Sequence, residues 1–109
     1  MHSSLHTLLK DIKDPLKEMH LIRNGLKIAV VEAFLMNEDL SIKDVLQRLH
    51  IPSSTYFSKK KNHKPLDSYT SEKFIRLMSV LLLATDILGK EEAKNWLYST
   101  IPAVGNQGP

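Results

Sequence analysis

Apolar residues recur along this chain three and four positions apart, the spacing that gathers them on one face of an α-helix. Leu5, Leu8, Leu9 and Ile12 open the series over residues 4–13. Asp14-Pro15 interrupts it, because the residue before a proline is pushed out of helical geometry. Pro15 then suits the first turn of a short helix over 15–23, which Asn24-Gly25 stops. A helix over 26–36 carries Leu26, Ala29, Val30, Ala33 and Phe34, with Val31 and Leu35 widening the stripe. A face that broad predicts burial on more than one side.

The next repeat is the cleanest. Ile42, Val45, Leu46 and Leu49 predict a helix over 41–49, and Ser41 with Asp44 resembles a capping box. After the connector His50-Ile51-Pro52, residues 53–61 read as a polar, basic helix with only Tyr56 and Phe57 as large apolar residues. The longest helix starts at Ser68 or Thr70 and ends at Leu88, with Phe74, Leu77, Met78, Leu81, Leu82, Ile87 and Leu88 as its core face. Residues 80–84 are apolar all round, which predicts a central core position or an oligomer interface. Gly89 closes that helix. A last short helix over 91–98 turns Ala93, Trp96 and Leu97 inward and sets Glu91 and Glu92 at its positive end. Residues 101–109 show no periodicity.

No stretch alternates with period two, so the predicted fold is all-α. Its 109 residues suit one domain or two small lobes sharing a core. The expected division is an N-terminal segment 1–66 containing a helix-turn-helix at 41–61, followed by a helical region 67–109. An amphipathic helix, a three-residue turn and a second, basic helix make up that motif.

Charge sharpens the picture. The chain carries a net +3, but residues 45–66 hold no acid and five bases: Arg48, Lys59, Lys60, Lys61 and Lys64. The remainder has 10 basic and 12 acidic residues. A concentration of this kind is the footprint of a polyanion contact; the competing reading is a solvated, lysine-rich loop. A recognition helix meets DNA with its N-terminal residues. Ser53, Ser54 and Thr55 are small hydroxyl donors placed there, suited to phosphates or base edges. Ser58, Lys59, Lys60, Lys61, His63 and Lys64 would meet the flanking backbone. Without arginine, and without Asn or Gln before Asn62, this helix offers no obvious bidentate base reading, so useful specificity is expected to need a dimer.

Other chemistry is not expected. The absence of cysteine removes disulfides, thiolate metal sites and cysteine nucleophiles, and a reducing cytoplasm suits the chain. Residues 1–10 do not read as a signal peptide, and the apolar run 80–84 is too short for a membrane span. His2 and His6 share helical spacing but lack a third ligand, so no metal or cofactor is expected. No nucleophile–base set, phosphate loop or paired carboxylate points to an enzyme. Trp96 reads as a core residue or a partner anchor.

The order of these pieces resembles the Xre/MbcA/ParS antitoxin family. Asp14-Pro-Leu and Leu21-Ile-Arg-Asn-Gly25 resemble its lead-in, and Leu49-His-Ile-Pro-Ser-Ser-Thr55 its turn into the recognition helix. Leu66, Ser71 and Phe74-Ile-Arg-Leu77 resemble the start of its long central helix. Ala84 to Gly89, Glu92-Ala93 and Trp96-Leu97 resemble its closing helix, and Ala103-Val-Gly105 with Pro109 is similar to its Ala-Leu-Gly-Gly-x-x-Pro. Departures exist: Thr70-Ser71 before Lys73 replaces the usual Glu-Ser before an Arg, and Ser58-Lys59 replaces arginines.

The resemblance implies an antitoxin that represses its own operon and neutralises a RES-type toxin, one that consumes NAD⁺ or ADP-ribosylates. It implies toxin contacts at Trp96, Leu97, Ala103, Val104, Gly105 and Pro109. Family members continue past that proline, so the toxin-binding region is expected to be incomplete in this sequence. Two other classes stay open on the residues alone: a stand-alone helix-turn-helix regulator and a helical adaptor that binds only protein.

Overall fold

A computed structural model describes residues 14–100. Among them the chain forms helices and no strand: α1 (Pro15–Asn24), α2 (Ile28–Asn37), α3 (Ile42–Arg48), α4 (Ser53–Lys61), α5 (Ser68–Leu88) and α6 (Lys90–Thr100). The all-α expectation holds. The helix expected over 4–13 and the tail 101–109 lie outside the described residues.

Local chemistry sets the boundaries. The Asp14 carboxylate accepts the Leu16 N–H at 3.0 Å, with Pro15 in the first turn of α1. Asp67 caps α5 in the same way, accepting the Thr70 N–H at 2.7 Å. That backbone bond holds the Asp67 carboxyl below its usual range, helped by the nearby Lys59 charge. The cap is thus Asp67, and Ser68 only begins the helix. Ser41 stands at the N-cap of α3, but its side chain makes no capping bond, so the expected capping box does not form.

Three successive helices end alike. Asp39, His50 and His63 take left-handed backbone with φ of 58°, 60° and 55°. In each case the next amide reaches back five residues: Leu40 to the Leu35 carbonyl at 2.8 Å, Ile51 to Leu46 at 2.9 Å and Lys64 to Lys59 at 3.0 Å. This is the Schellman closure, which satisfies carbonyls the helix leaves free. No glycine marks these ends in the sequence. Asp and His are among the few other residues that tolerate the conformation.

One core cluster runs from Leu26 to Leu97 and draws on both sides of position 66. The face of α2 differs from the expected one. Ile28, Val31, Phe34 and Leu35 are buried, Ala29 is exposed, and Val30 and Ala33 are half-buried. Larger side chains remove more apolar area from water, so the helix rolls to bury Val31 and Leu35 rather than the alanines. In α5 the buried set ends at Ala84. Ile87 is 72% exposed and Leu88 46%, because the last turn runs past the core. They are therefore not core residues as expected. Ala93 and Leu97 bury α6 as expected, while Trp96 is half-buried.

A polar node sits inside this apolar cluster. The Ser71 hydroxyl, fully buried, accepts the Leu26 N–H at 2.8 Å and donates to the Leu66 carbonyl at 3.3 Å. The Leu66 N–H in turn donates to the Leu26 carbonyl at 2.9 Å. The connector before α2 and the loop before α5 are thereby pinned together on α5. Gly25 makes this approach possible: a Cβ there would lie 2.4 Å from the Leu66 carbonyl oxygen, and its φ is +89°.

A second tie orients α4. Tyr56 is fully buried, and its hydroxyl donates to the Glu32 carboxylate at 3.1 Å; the same carboxylate pairs with Lys60 Nζ at 2.7 Å. Burial first, and the Glu32 charge second, push the Tyr56 phenol well above its ordinary value of 10.0.

Two predictions follow from these ties. Gly25→Ala and Gly89→Ala both force a side chain into a conformation reserved for glycine, a cost of about 1–3 kcal/mol each. Only Gly25→Ala adds a backbone collision, since nothing lies near a Cβ at Gly89. Urea midpoints should fall for both and clearly further for Gly25→Ala; equal losses would contradict the close approach. Tyr56→Phe should cost about 1 kcal/mol at neutral pH. Because the folded phenol holds its proton more tightly than the unfolded one, Tyr56 stabilises the fold fully below about pH 10 and loses that contribution above it. The melting temperatures of wild type and Tyr56→Phe should therefore converge in alkali, and parallel curves would contradict the tie.

Candidate nucleic-acid interface

The helix-turn-helix forms as α3, a turn at residues 49–52, and α4. Two features fix the turn. Ile51 is buried in the core. From α5, the Lys73 ammonium donates to the carbonyls of Leu49 at 2.8 Å and His50 at 3.2 Å, while lying 4.6 Å from the centre of the Tyr69 ring. A cation on the last carbonyls of a helix also opposes its negative end. Lys73 stands where the resembled family carries arginine, yet only folding reveals that it clamps the motif.

The sequence-predicted residues divide between the two ends of α4. Tyr56 turns into the core, which leaves Ser53 and Ser54 exposed and Thr55 half-buried at the start of the helix. Pro52 occupies the N-cap and supplies no side-chain cap, so the positive end of the helix remains open to an anion. Lys59, Lys60 and Lys61 occupy the last turn. Lys61 lies eight positions after Ser53, about 12 Å along the axis and close to the width of the DNA major groove. The hydroxyls and the lysines thus flank a surface of the right span. Ser58 is exposed between them, and Phe57, packed edge-on against Tyr56 at 5.1 Å, is 39% exposed.

Folding redistributes the acid-free window. Arg48 leaves the basic face: it stacks over the Tyr98 ring at 4.3 Å and pairs with Asp44 at 3.6 Å. Lys60 is held by Glu32, and Lys59 lies near Asp67. The exposed cations of this region outside these pairings are then Lys61 and Lys64, with His63 beside them in the loop after α4. The concentration of charge read from the sequence is real, but acids distant in sequence fold onto part of it.

The residues expected by resemblance to touch a toxin lie elsewhere. Trp96 and Leu97 are on α6, half-buried and buried respectively. Ala103, Val104, Gly105 and Pro109 lie outside the described residues, as do His2 and His6. Among the described residues, no group of three or more His, Asp or Glu side chains is placed to hold a metal ion. No helix among them is long and apolar enough to cross a membrane. The lower half of α5 exposes Val80, Leu83, Ile87 and Leu88, an apolar stripe at helical spacing.

Comparison with curated proteins and with solved structures gave no match. A family model does match: the antitoxin Xre-like helix-turn-helix domain, over residues 18–79. That span is more than half of the chain. It takes in the clamped motif, the α4 face and the Ser71 node, and it ends within α5. With its exposed recognition-type helix and its match across the whole motif, this chain belongs to the Xre-like helix-turn-helix antitoxin family, a class of DNA-binding regulators.

Proposed function

We propose that the protein is the antitoxin of a two-gene toxin–antitoxin module, binding operator DNA through α4 to repress its own operon. The observation that carries this reading is the pair of exposed ends on one pinned helix. Ser53 and Ser54 are exposed at its positive end, Lys61 at its basic end, and Lys64 in the loop that follows. Ser53, Ser54 and Thr55 approach base edges or phosphates, while Ser58, Lys59, Lys60, Lys61, His63 and Lys64 contact the flanking backbone. Lys60 contributes less than its neighbours because Glu32 already holds it. The protein acts as a cytoplasmic homodimer, since one half-site without bidentate base contacts discriminates poorly.

The partner is a RES-type toxin, NAD-consuming or ADP-ribosylating, of the kind associated with Xre/MbcA/ParS antitoxins. The region 67–109 would engage it, with Trp96, Leu97, Ala103, Val104, Gly105 and Pro109 as contacts by resemblance. The unpartnered apolar stripe on α5 supports a protein-binding role for this region, because contiguous exposed apolar surface commonly marks an interface. A stand-alone regulator is the second reading. It is favoured by one fact, that the family match ends at residue 79, before the proposed toxin contacts.

Two measurements test these proposals. In fluorescence anisotropy with operator-region duplex, replacing Lys61 and Lys64 by Ala should lower the salt slope of log K by up to about 0.9 per lost phosphate contact. An unchanged slope would mean that this end of α4 does not face DNA. Co-expression with the neighbouring gene's product should restore growth and give a complex that co-purifies. DNA binding without rescue or complex would leave the stand-alone regulator as the correct reading.

A further inference from the structure

Beside α4 lies a groove of about 610 Å³ that no helix-turn-helix motif in the sequence announces. Its cations come from three separate pieces of chain. Lys27 precedes α2, Lys59 and Lys60 end α4, and His63 and Lys64 follow in the loop. Glu32 is the one carboxylate among the lining residues, and it is already engaged by Lys60 and Tyr56. With Lys60 paired to Glu32 and Lys59 near Asp67, Lys27 and Lys64 supply the groove's excess of positive charge. Such a grouping of cations attracts an anion.

The convergence is built into the backbone. The Leu26–Leu66 hydrogen bond and the Ser71 hydroxyl bring the Lys27 connector against the loop carrying Lys64. The Lys64 amide is bound back to the Lys59 carbonyl. The cations are thus mounted on fixed backbone, which reduces the ordering cost of binding. The groove is also continuous with the basic end of α4, about 12 Å along the helix from Ser53.

We propose that this groove seats a backbone phosphate of the same DNA that α4 contacts, with Lys27 as a phosphate-binding residue outside the helix-turn-helix. The inference rests on the DNA-binding reading and adds to it a contact from the connector between α1 and α2. Such a contact fixes the register of the protein on the duplex and carries no sequence information. Lys27 suits a clean test: it is exposed, and its side chain makes no capping bond to α2.

The experiment measures DNA binding of the full chain by fluorescence anisotropy from about 50 to 200 mM salt, on operator-region and unrelated duplexes. Lys27→Ala and Lys27→Gln should each lower the salt slope by about 0.9 and weaken both duplexes alike. Lys94→Ala, on α6, should leave the slope unchanged. If Lys61→Ala flattens the slope and the Lys27 variants do not, the groove proposal is overturned and the DNA-binding reading stands. If neither position changes the slope, the DNA-binding reading itself falls. A titration with inorganic phosphate separates a free-anion site: saturable binding lost in Lys27→Ala, with the DNA slope intact, would also overturn the proposal.

Discussion

The rest of the molecule depends on one buried hydroxyl. Ser71 satisfies the amide of Leu26 and the carbonyl of Leu66 at once, in a core that is mostly apolar. An unpaired buried amide costs about 1–3 kcal/mol, so the hydroxyl is worth more than its small size suggests. Its effect is mainly positional. It joins the connector before α2 to the loop before α5, and those segments carry Lys27 and Lys64. Gly25 allows the two backbones to meet without a side chain between them. The basic surface therefore has a rigid base, although most of its residues lie in or beside loops.

From that base two further contacts aim the recognition helix. Glu32 holds it from one side through Tyr56 and Lys60, and Lys73 holds its preceding turn from the other through two backbone carbonyls. Each draws on charge, which strengthens a hydrogen bond relative to a neutral pair. The same contacts set the electrostatics of the face. Lys60 is partly neutralised, Arg48 is diverted to Tyr98 and Asp44, and Lys61 and Lys64 remain outward. A helix presented in this way offers an open positive end for bases or phosphates and a basic end for the backbone. The stripe on the lower half of α5 differs from this face in chemistry: it is apolar, the character of surface that commonly marks a protein interface.

Much of the fold was legible because its boundaries are written in residues with few conformational options. Asp14-Pro15, Asn24-Gly25 and Gly89 act through backbone geometry, and each helix boundary beside them lies within one residue of the expected position. The helix-turn-helix was legible for the same reason, through the clean repeat at Ile42, Val45, Leu46 and Leu49 and the connector at Pro52. The rotation of α2 was not, because alanines and branched residues share its wide stripe and only packing volume decides between them. Periodicity continues after the core ends, so it does not reveal that Ile87 and Leu88 are exposed. Ser41 looked like a cap by type, but an N-cap position does not oblige the side chain to bond. The site was legible as a charge pattern and not as a geometry. Nothing local to the acid-free window says that Glu32 will fold onto Lys60, that Lys73 will clamp the turn, or that Lys27 will stand opposite Lys64.

The proposed DNA-binding face is α4 and the loop after it. Amide chemical shifts of the labelled protein, followed as operator-region duplex is added, test it residue by residue. Shifts should concentrate at Ser53 to Thr55 and at Lys59 to Lys64, extend to Lys27, and leave Leu83 to Leu88 of α5 unmoved. Shifts confined to α5 and α6, with the start of α4 unaffected, would contradict it.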